Sequence, residues 1–284
     1  MNAAMSRFVV GLDGSAAAAS AMRWAGKLAA SSGIEILAVN AYRHGFAEVR
    51  PETADRLISE RESMLNSWIR PALDEGASVQ AVLKQGDPRD VLLKVAEEVD
   101  AGLVVLGRTG QSGGPGFLHL GSVVEYAAHH ARQPLAIIPS AVLGPIRRII
   151  VGVDGSSESL GALRWCADLA QLNDASLRVV TVRDRNDEDT DSSPRSWRDD
   201  VEPQVRAWIA PLADMGISTD HVMQSDLHPA DGLLGVASAS DGDVLVIGTR
   251  GTGRVSGVRV GGVAMKVLHR AFLPLVLVPP VSEA

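Results

Sequence analysis

The sequence predicts an α/β protein built from two copies of one open parallel-sheet domain, and three observations predict it. Short apolar runs alternate with alanine-rich or amphipathic stretches of helical period along the 284 residues, the pattern of parallel strands joined by helices that cover both faces of a sheet. The same succession of runs, turns and glycines occurs twice. In each copy the fourth apolar run leads into a glycine-dense segment, Gly107 to Ser122 and then Gly248 to Gly262, that enters a helix.

Each element of the first copy has its own warrant. The run from Arg7 reads as a strand that stops at the turn Asp13-Gly14-Ser15, and Ala16 to Ala30 as an alanine-rich helix ended by Gly33. Ile34 to Ala41 is a second strand, and Tyr42 to Pro51 is loop-like. Glu52 to Glu75 places Leu57, Leu65, Trp68 and Ile69 at helical spacing before Gly76. Ser78 to Lys84 reads as a strand, Gly86-Asp87-Pro88 as a turn, and Arg89 to Val99 as a helix. Leu103 to Leu106 is the fourth strand; after the glycine segment come a helix through Ala131 and a last strand, Leu135 to Ile138.

Adding 141 carries Arg7 to Arg148, Gly11 to Gly152, Asp13 to Asp154, Trp24 to Trp165, Pro88 to Pro229 and Gly107 to Gly248. Adding 140 carries Trp68 to Trp208, Pro71 to Pro211 and Gly121 to Gly261. Matches in one order on turns, apolar faces and strand ends mean duplication of a whole domain, with domains at 1–141 and 146–284. The stretch from Arg183 to Asp200, dense in charge, serine and proline, reads as a solvated connector before a helix around Val201 to Met215.

Composition narrows the function classes. A net charge of −7 with no basic block argues against nucleic acid and membrane surfaces as partners. No apolar run approaches the ~18 residues of a membrane span, and the expected location is cytoplasmic. Cys166, the only cysteine, excludes intramolecular disulfides and sits among apolar residues as a small hydrophobe.

The chemistry concentrates beyond the strand ends. Glycines admit positive φ and close backbone approach, and the free N–H groups of a helix start attract anions, so the segments from Gly107 and Gly248 read as phosphate cradles. Asp13 and Asp154 read either as carboxylates facing sugar hydroxyls or magnesium, or as caps of the following helices. Neither segment contains the P-loop pattern or a lysine; Arg108, Arg250, Arg254 and Arg259 read as solvated or as phosphate partners. His119 lies in the first glycine segment, where the second copy has Val260; His129 and His130 follow in the first copy and only His269 in the second; Ser15 and Ser156 lack a repeated histidine, so catalytic residues are not assigned. Trp24, Trp165, Trp68 and Trp208 read as core or domain packing.

These motifs resemble the universal stress protein family in its tandem, ATP-binding form. The resemblance rests on V-G-h-D-G-S at Val10 and Val151 (h being apolar), the turns before Pro88 and Pro229, and the pattern G-x2-G-x9-G-[ST]. The first copy departs from that pattern with ten residues between Gly110 and Gly121, the second with Gly262 in place of Ser or Thr. The family implies two Rossmann-like five-stranded parallel sheets of order 3-2-1-4-5, packed as a pseudo-dimer through Leu135–Ile138 and Leu275–Val278, and a possible homodimer. It implies ATP, with Mg2+ on the nucleotide, in each half. Gly11, Asp13 and Ala41, with Gly152, Asp154 and Val182, are expected beside adenine and ribose. Gly107, Arg108, Thr109, Gly110, Gly121, Ser122 and Val123, with Gly248, Thr249, Arg250, Gly251, Gly261, Gly262 and Val263, are expected around the triphosphate. The activity this implies is a nucleotide-dependent signalling module; slow ATP hydrolysis or phosphotransfer and a nucleotide-free scaffold are the rivals.

Overall fold

The computed structural model describes residues 7–43, 51–111, 120–141, 144–184, 194–252 and 259–280, in two compact units, Met1–Leu143 and Gly144–Ala284. The first runs β1 (Arg7–Gly11), α1 (Ala16–Ser32), β2 (Glu35–Tyr42), α2 (Pro51–Asp74), β3 (Ser78–Gln85), α3 (Pro88–Glu98), β4 (Leu103–Gly107), α4 (Ser122–His130) and β5 (Leu135–Ile138). Its strands lie in the order β3-β2-β1-β4-β5, each pairing parallel. Two crossovers run one way from β1 and two the other way. Right-handed connections therefore put α1 against α2 on one face and α3 against α4 on the opposite face.

The core sits where the sheet is covered twice. Val9, Val10, Val104 and Val105 are 0% exposed, which is why β1 and β4 read as continuous apolar runs rather than alternating ones. Strand β3, at the sheet edge, has no buried residue. Trp24 and Trp165 are core residues at 4% and 6% exposed. Cys166 is fully buried, which pushes its thiol well above the usual range.

The second unit repeats the plan: β6 (Arg148–Gly152), α5 (Ser157–Asn173), β7 (Ser176–Asp184), α6 (Pro194–Asp214), β8 (Thr219–Leu227), α7 (Pro229–Ala239), β9 (Val244–Gly248), α8 (Gly262–Arg270) and β10 (Leu275–Val278). Its order is β8-β7-β6-β9-β10, again parallel.

Two departures from the sequence reading stand out here. The expected connector from Arg183 to Asp200 is strand at one end and helix at the other: Arg183 and Asp184 complete β7, and α6 starts at Pro194. Proline is pre-organised for the first helical turn, and a solvated helix face accepts the charges that suggested a loop. The part of the stretch from 185 to 193 lies outside the described residues, as does 44–50 of the expected first-unit loop.

The second departure concerns register. Partners on β2 and β3 differ by 43 from Glu35↔Ser78 to Tyr42↔Gln85. On β7 and β8 they differ by 42 from Leu177↔Thr219 to Val182↔Gln224, then by 43 at Asp184↔Leu227. A bulge between Gln224 and Leu227 thus returns the residue lost upstream, where the repeat offset drops from 141 to 140. Its effect is that Pro229 opens α7 at the place where Pro88 opens α3.

Candidate functional site

In an open parallel sheet the crevice for a ligand lies beyond the carboxyl ends of the strands, where the strand order reverses. Here that point falls between β1 and β4, paired through Phe8↔Leu103 and Val10↔Val105, and between β6 and β9. Clefts of about 560 Å³ in the first unit and 300 Å³ in the second open there.

The floor of each cleft begins at a turn that only glycine fits. Gly14 and Gly155 have φ of +81° and +84°, and a Cβ on them would lie 2.5 Å and 3.0 Å from the indole rings of Trp68 and Trp208. These half-buried tryptophans therefore cover the Asp-Gly-Ser turns, a role more specific than core packing. After each turn the serine caps the helix: Ser15 accepts from the Ala18 N–H and Ser156 from the Ser159 N–H.

The helix cap is thus serine, and the aspartates do something else. Asp13 accepts from the Ser15 N–H at 2.9 Å and, across the cleft floor, from the Gln111 N–H at 3.0 Å. Asp154 accepts from the Ser156 N–H at 3.1 Å and the Thr252 N–H at 2.9 Å. Each carboxylate clasps the first turn to the start of the glycine segment and retains further lone pairs toward the cleft. Burial works to raise the Asp154 pKa, but hydrogen bonds from Ser156, Thr252 and Ser159 outweigh it and hold the carboxyl below the ordinary value.

The glycines of the segment prove to serve approach rather than φ. None of the described ones has positive φ. A Cβ on Gly107 would lie 2.5 Å from the Ala18 nitrogen, and one on Gly248 would lie 3.1 Å from the Glu158 backbone, because the first turns of α1 and α5 press on these strand ends. A Cβ on Gly110 or Gly251 would collide with the carboxylate of Asp13 or Asp154. Gly121 and Gly261 return the chain through N–H bonds to the carbonyls of Arg108 and Thr249 at 2.9 Å and 2.8 Å.

What remains open is the start of the next helix. Helices α1, α3, α5 and α7 are capped by the side chains of Ser15, Asp87, Ser156 and His228. At α4 and α8 the N-caps are Gly121 and Gly261, and neither supplies a side-chain bond. Their first residues, Ser122 and Val123, or Gly262 and Val263, line the clefts. Helix N–H groups without an intrahelical partner are thereby presented to whatever occupies each cleft.

Of the expected binding residues, Gly11, Asp13, Ala41, Gly107, Thr109, Gly110, Gly121, Ser122 and Val123 line the first cleft. Gly152, Asp154, Val182, Gly248, Thr249, Arg250, Gly251, Gly261, Gly262 and Val263 line the second. Arg108 does not. It is 7% exposed rather than solvated, and burial lowers its guanidinium pKa. Arg250 lines its cleft with Nη2 at 3.3 Å from Glu158, a carboxylate 3% exposed. Arg259 is exposed, while Arg254 and His119 lie outside the described residues. His129, His130 and His269 stand on the last turns of α4 and α8, away from the lining.

Sequence reasoning passed over Asn40, a cleft residue whose Nδ2 donates to the Leu12 carbonyl at 2.7 Å, and its counterpart Thr181, which donates to the Val153 carbonyl at 3.0 Å. The signal was present: one polar residue at the matched position of two apolar strands. It also passed over Arg43 and Asp184, cleft residues of opposite charge at matched positions. Among the described residues no group of three or more His, Cys, Asp or Glu is placed to hold a metal ion, and no helix is long and apolar enough to cross a membrane.

Comparison with known proteins gives a consistent picture. The model of the universal stress protein family matches residues 5–139 and again 145–279. A universal stress protein of Mycobacterium tuberculosis is 30% identical over 95% of each chain. The crystal structure of one from Archaeoglobus fulgidus superposes at a TM-score of 0.76, with 18% identity over 97% of this chain and 98% of that one. Another universal stress protein, solved in complex with cAMP, is 28% identical and matches 49% of this chain and 100% of its own at a TM-score of 0.42.

Proposed function

The chain belongs to the universal stress protein family, and from that premise we propose that each cleft binds an adenine nucleotide, with the protein acting in the cytoplasm as a nucleotide-dependent signalling module. The observation that carries this reading is the distribution of caps. The helices whose caps are described carry side-chain caps except α4 and α8, and those two begin in the clefts. Uncapped helix starts in a preformed cleft suit a phosphate, which accepts their N–H bonds and complements their dipole.

The remaining lining divides as a nucleotide requires. Leu92 and Leu106, with Leu233 and Ile247 in the second unit, give the cleft beside β2 and β7 an apolar wall for a base. Asp13 and Asp154, already holding the turn, have acceptor capacity left for ribose hydroxyls. The family resemblance makes ATP the nucleotide to test first. Mg2+ would enter on its phosphates, with water and at most one of these carboxylates as partners.

Among the described residues no histidine or lysine lines either cleft, and we take binding rather than turnover as the function. The test is to purify the chain without added nucleotide, denature it, and separate the released small molecules by anion exchange beside adenine nucleotide standards. Adenine nucleotide released in proportion to protein is the expected result. Conversion of added Mg-ATP to ADP in a single turnover would move the assignment to a slow hydrolase. Nothing released, with no thermal shift on adding Mg-ATP, would leave a nucleotide-free scaffold.

A further inference from the structure

We propose that the two clefts take nucleotides of different phosphate number, a triphosphate in the first and a ligand with at most one phosphate in the second. This rests on the nucleotide reading above and deepens it. The difference is built at the end of the cleft where phosphates would lie. Where the first unit has Ala17, the second has Glu158, buried at 3% exposure in the first turn of α5 and bonded by the Ser157 hydroxyl at 2.8 Å. Its counter-charge is Arg250, the one guanidinium among the described residues lining that cleft, at 3.3 Å.

The pair sets a limit on anionic ligands. If Arg250 turns to a phosphate, it weakens the partner of a buried carboxylate, which is strongly unfavourable. If it stays, its charge is already neutralised, and Glu158 adds repulsion from behind. Among the described residues the first cleft carries no such carboxylate: its counterpart of Arg250 is Thr109, and Ser122 presents a hydroxyl where Gly262 has none. At the far end Asp184 replaces Arg43, which adds a second carboxylate to the lining beside Asp154.

Lys266 lies outside the cleft with its Nζ 2.5 Å from His228 Nε2, and it does not line the cleft. The pairing of Glu158 and Arg250 is thus the charged feature that separates the phosphate ends of the two sites. Gly262 has no atom within 4 Å of an added Cβ, so the second cleft can be converted toward the first by Glu158→Ala together with Gly262→Ser.

Equilibrium dialysis of the full chain against radiolabelled ATP and AMP tests this. The wild type is expected to bind one ATP per chain tightly, with any second ATP at least tenfold weaker, and to take up one AMP in the presence of saturating ATP. Glu158→Ala with Gly262→Ser is expected to raise tight ATP to two per chain. Glu158→Gln, which keeps the size but removes the charge, should raise it in the same direction, and an unchanged far-UV spectrum confirms folding of both variants. Two equal ATP sites in the wild type would overturn the proposal and leave the nucleotide function standing. So would a single ATP site that neither variant changes. Failure to bind ATP and AMP alike would instead overturn the nucleotide reading itself.

Discussion

At the scale of single residues, the glycines divide by what a side chain would strike. On Gly107 a Cβ would meet the Ala18 backbone, and backbone cannot step aside as a flexible side chain can. Gly107→Ala is therefore expected to lower stability by about 1–3 kcal/mol, seen as a shift in the urea midpoint, whether or not a ligand is present. Loss of binding in that variant would say little about phosphate contact. Gly262→Ser has free space around it and is expected to leave the urea midpoint unchanged or slightly raised. Asp154 makes a pH prediction. Its folded-state pKa lies below the ordinary 3.8, so its stabilisation is complete at neutral pH and is lost as pH falls through and below that value. Asp154→Asn should lower the melting temperature at pH 7 and flatten its fall between about pH 5 and pH 2; an equally steep fall in the variant would assign the acid sensitivity to other carboxylates.

At the scale of elements, caps and register do the positioning. Ser15 and Ser156 fix the starts of α1 and α5 against the strand ends that carry Gly107 and Gly248. Replacing either serine by alanine removes one accepted bond and should lower stability by about 1 kcal/mol. Ser156→Ala should have the larger effect, because the Ser156 hydroxyl donates to the Asp154 carboxylate at 2.6 Å, whereas the Ser15 hydroxyl donates to the neutral Thr109 carbonyl at 3.2 Å; equal losses would mean that the charge-assisted bond adds nothing over the neutral one. The β8 bulge is the element-scale feature that keeps the second cleft aligned with the first. Deleting Ser225 should straighten the ladder and pull α7, with Pro229 and Leu233, out of place at the cleft wall. The expected result is weaker ligand binding in the second unit with the first unit unaffected, read by dialysis.

At the scale of the molecule, two units of one plan each carry a cleft at the point where the strand order reverses. A ligand that binds only the folded state adds about 2.7 kcal/mol at 100 times its dissociation constant, which for a domain of this size is a rise of roughly 5–10 °C in melting temperature. Saturating ATP is expected to raise the transition of the first unit by that amount, and AMP that of the second; calorimetry on the full chain resolves the two.

The sequence by itself determined the strand and helix succession, the duplication and about half of the cleft lining, the turn and glycine-segment residues. Those features are written in local signals: apolar runs, turn residues, and glycines at strand ends. Only the tertiary structure decided why each residue is there. Asp13 reads from sequence as a ligand carboxylate or a helix cap, and its bond to the Gln111 N–H, 98 positions away, shows a clasp that no local pattern contains. Arg108 sits in a glycine-rich segment and is nonetheless buried, its backbone N–H still paired to the Ile138 carbonyl at 2.8 Å. Glu158 looks like any acidic residue in a first helical turn until Arg250, far along the chain, closes over it. Secondary structure follows from neighbours in sequence, whereas charge pairing and steric contact depend on neighbours in space, and folding brings those together.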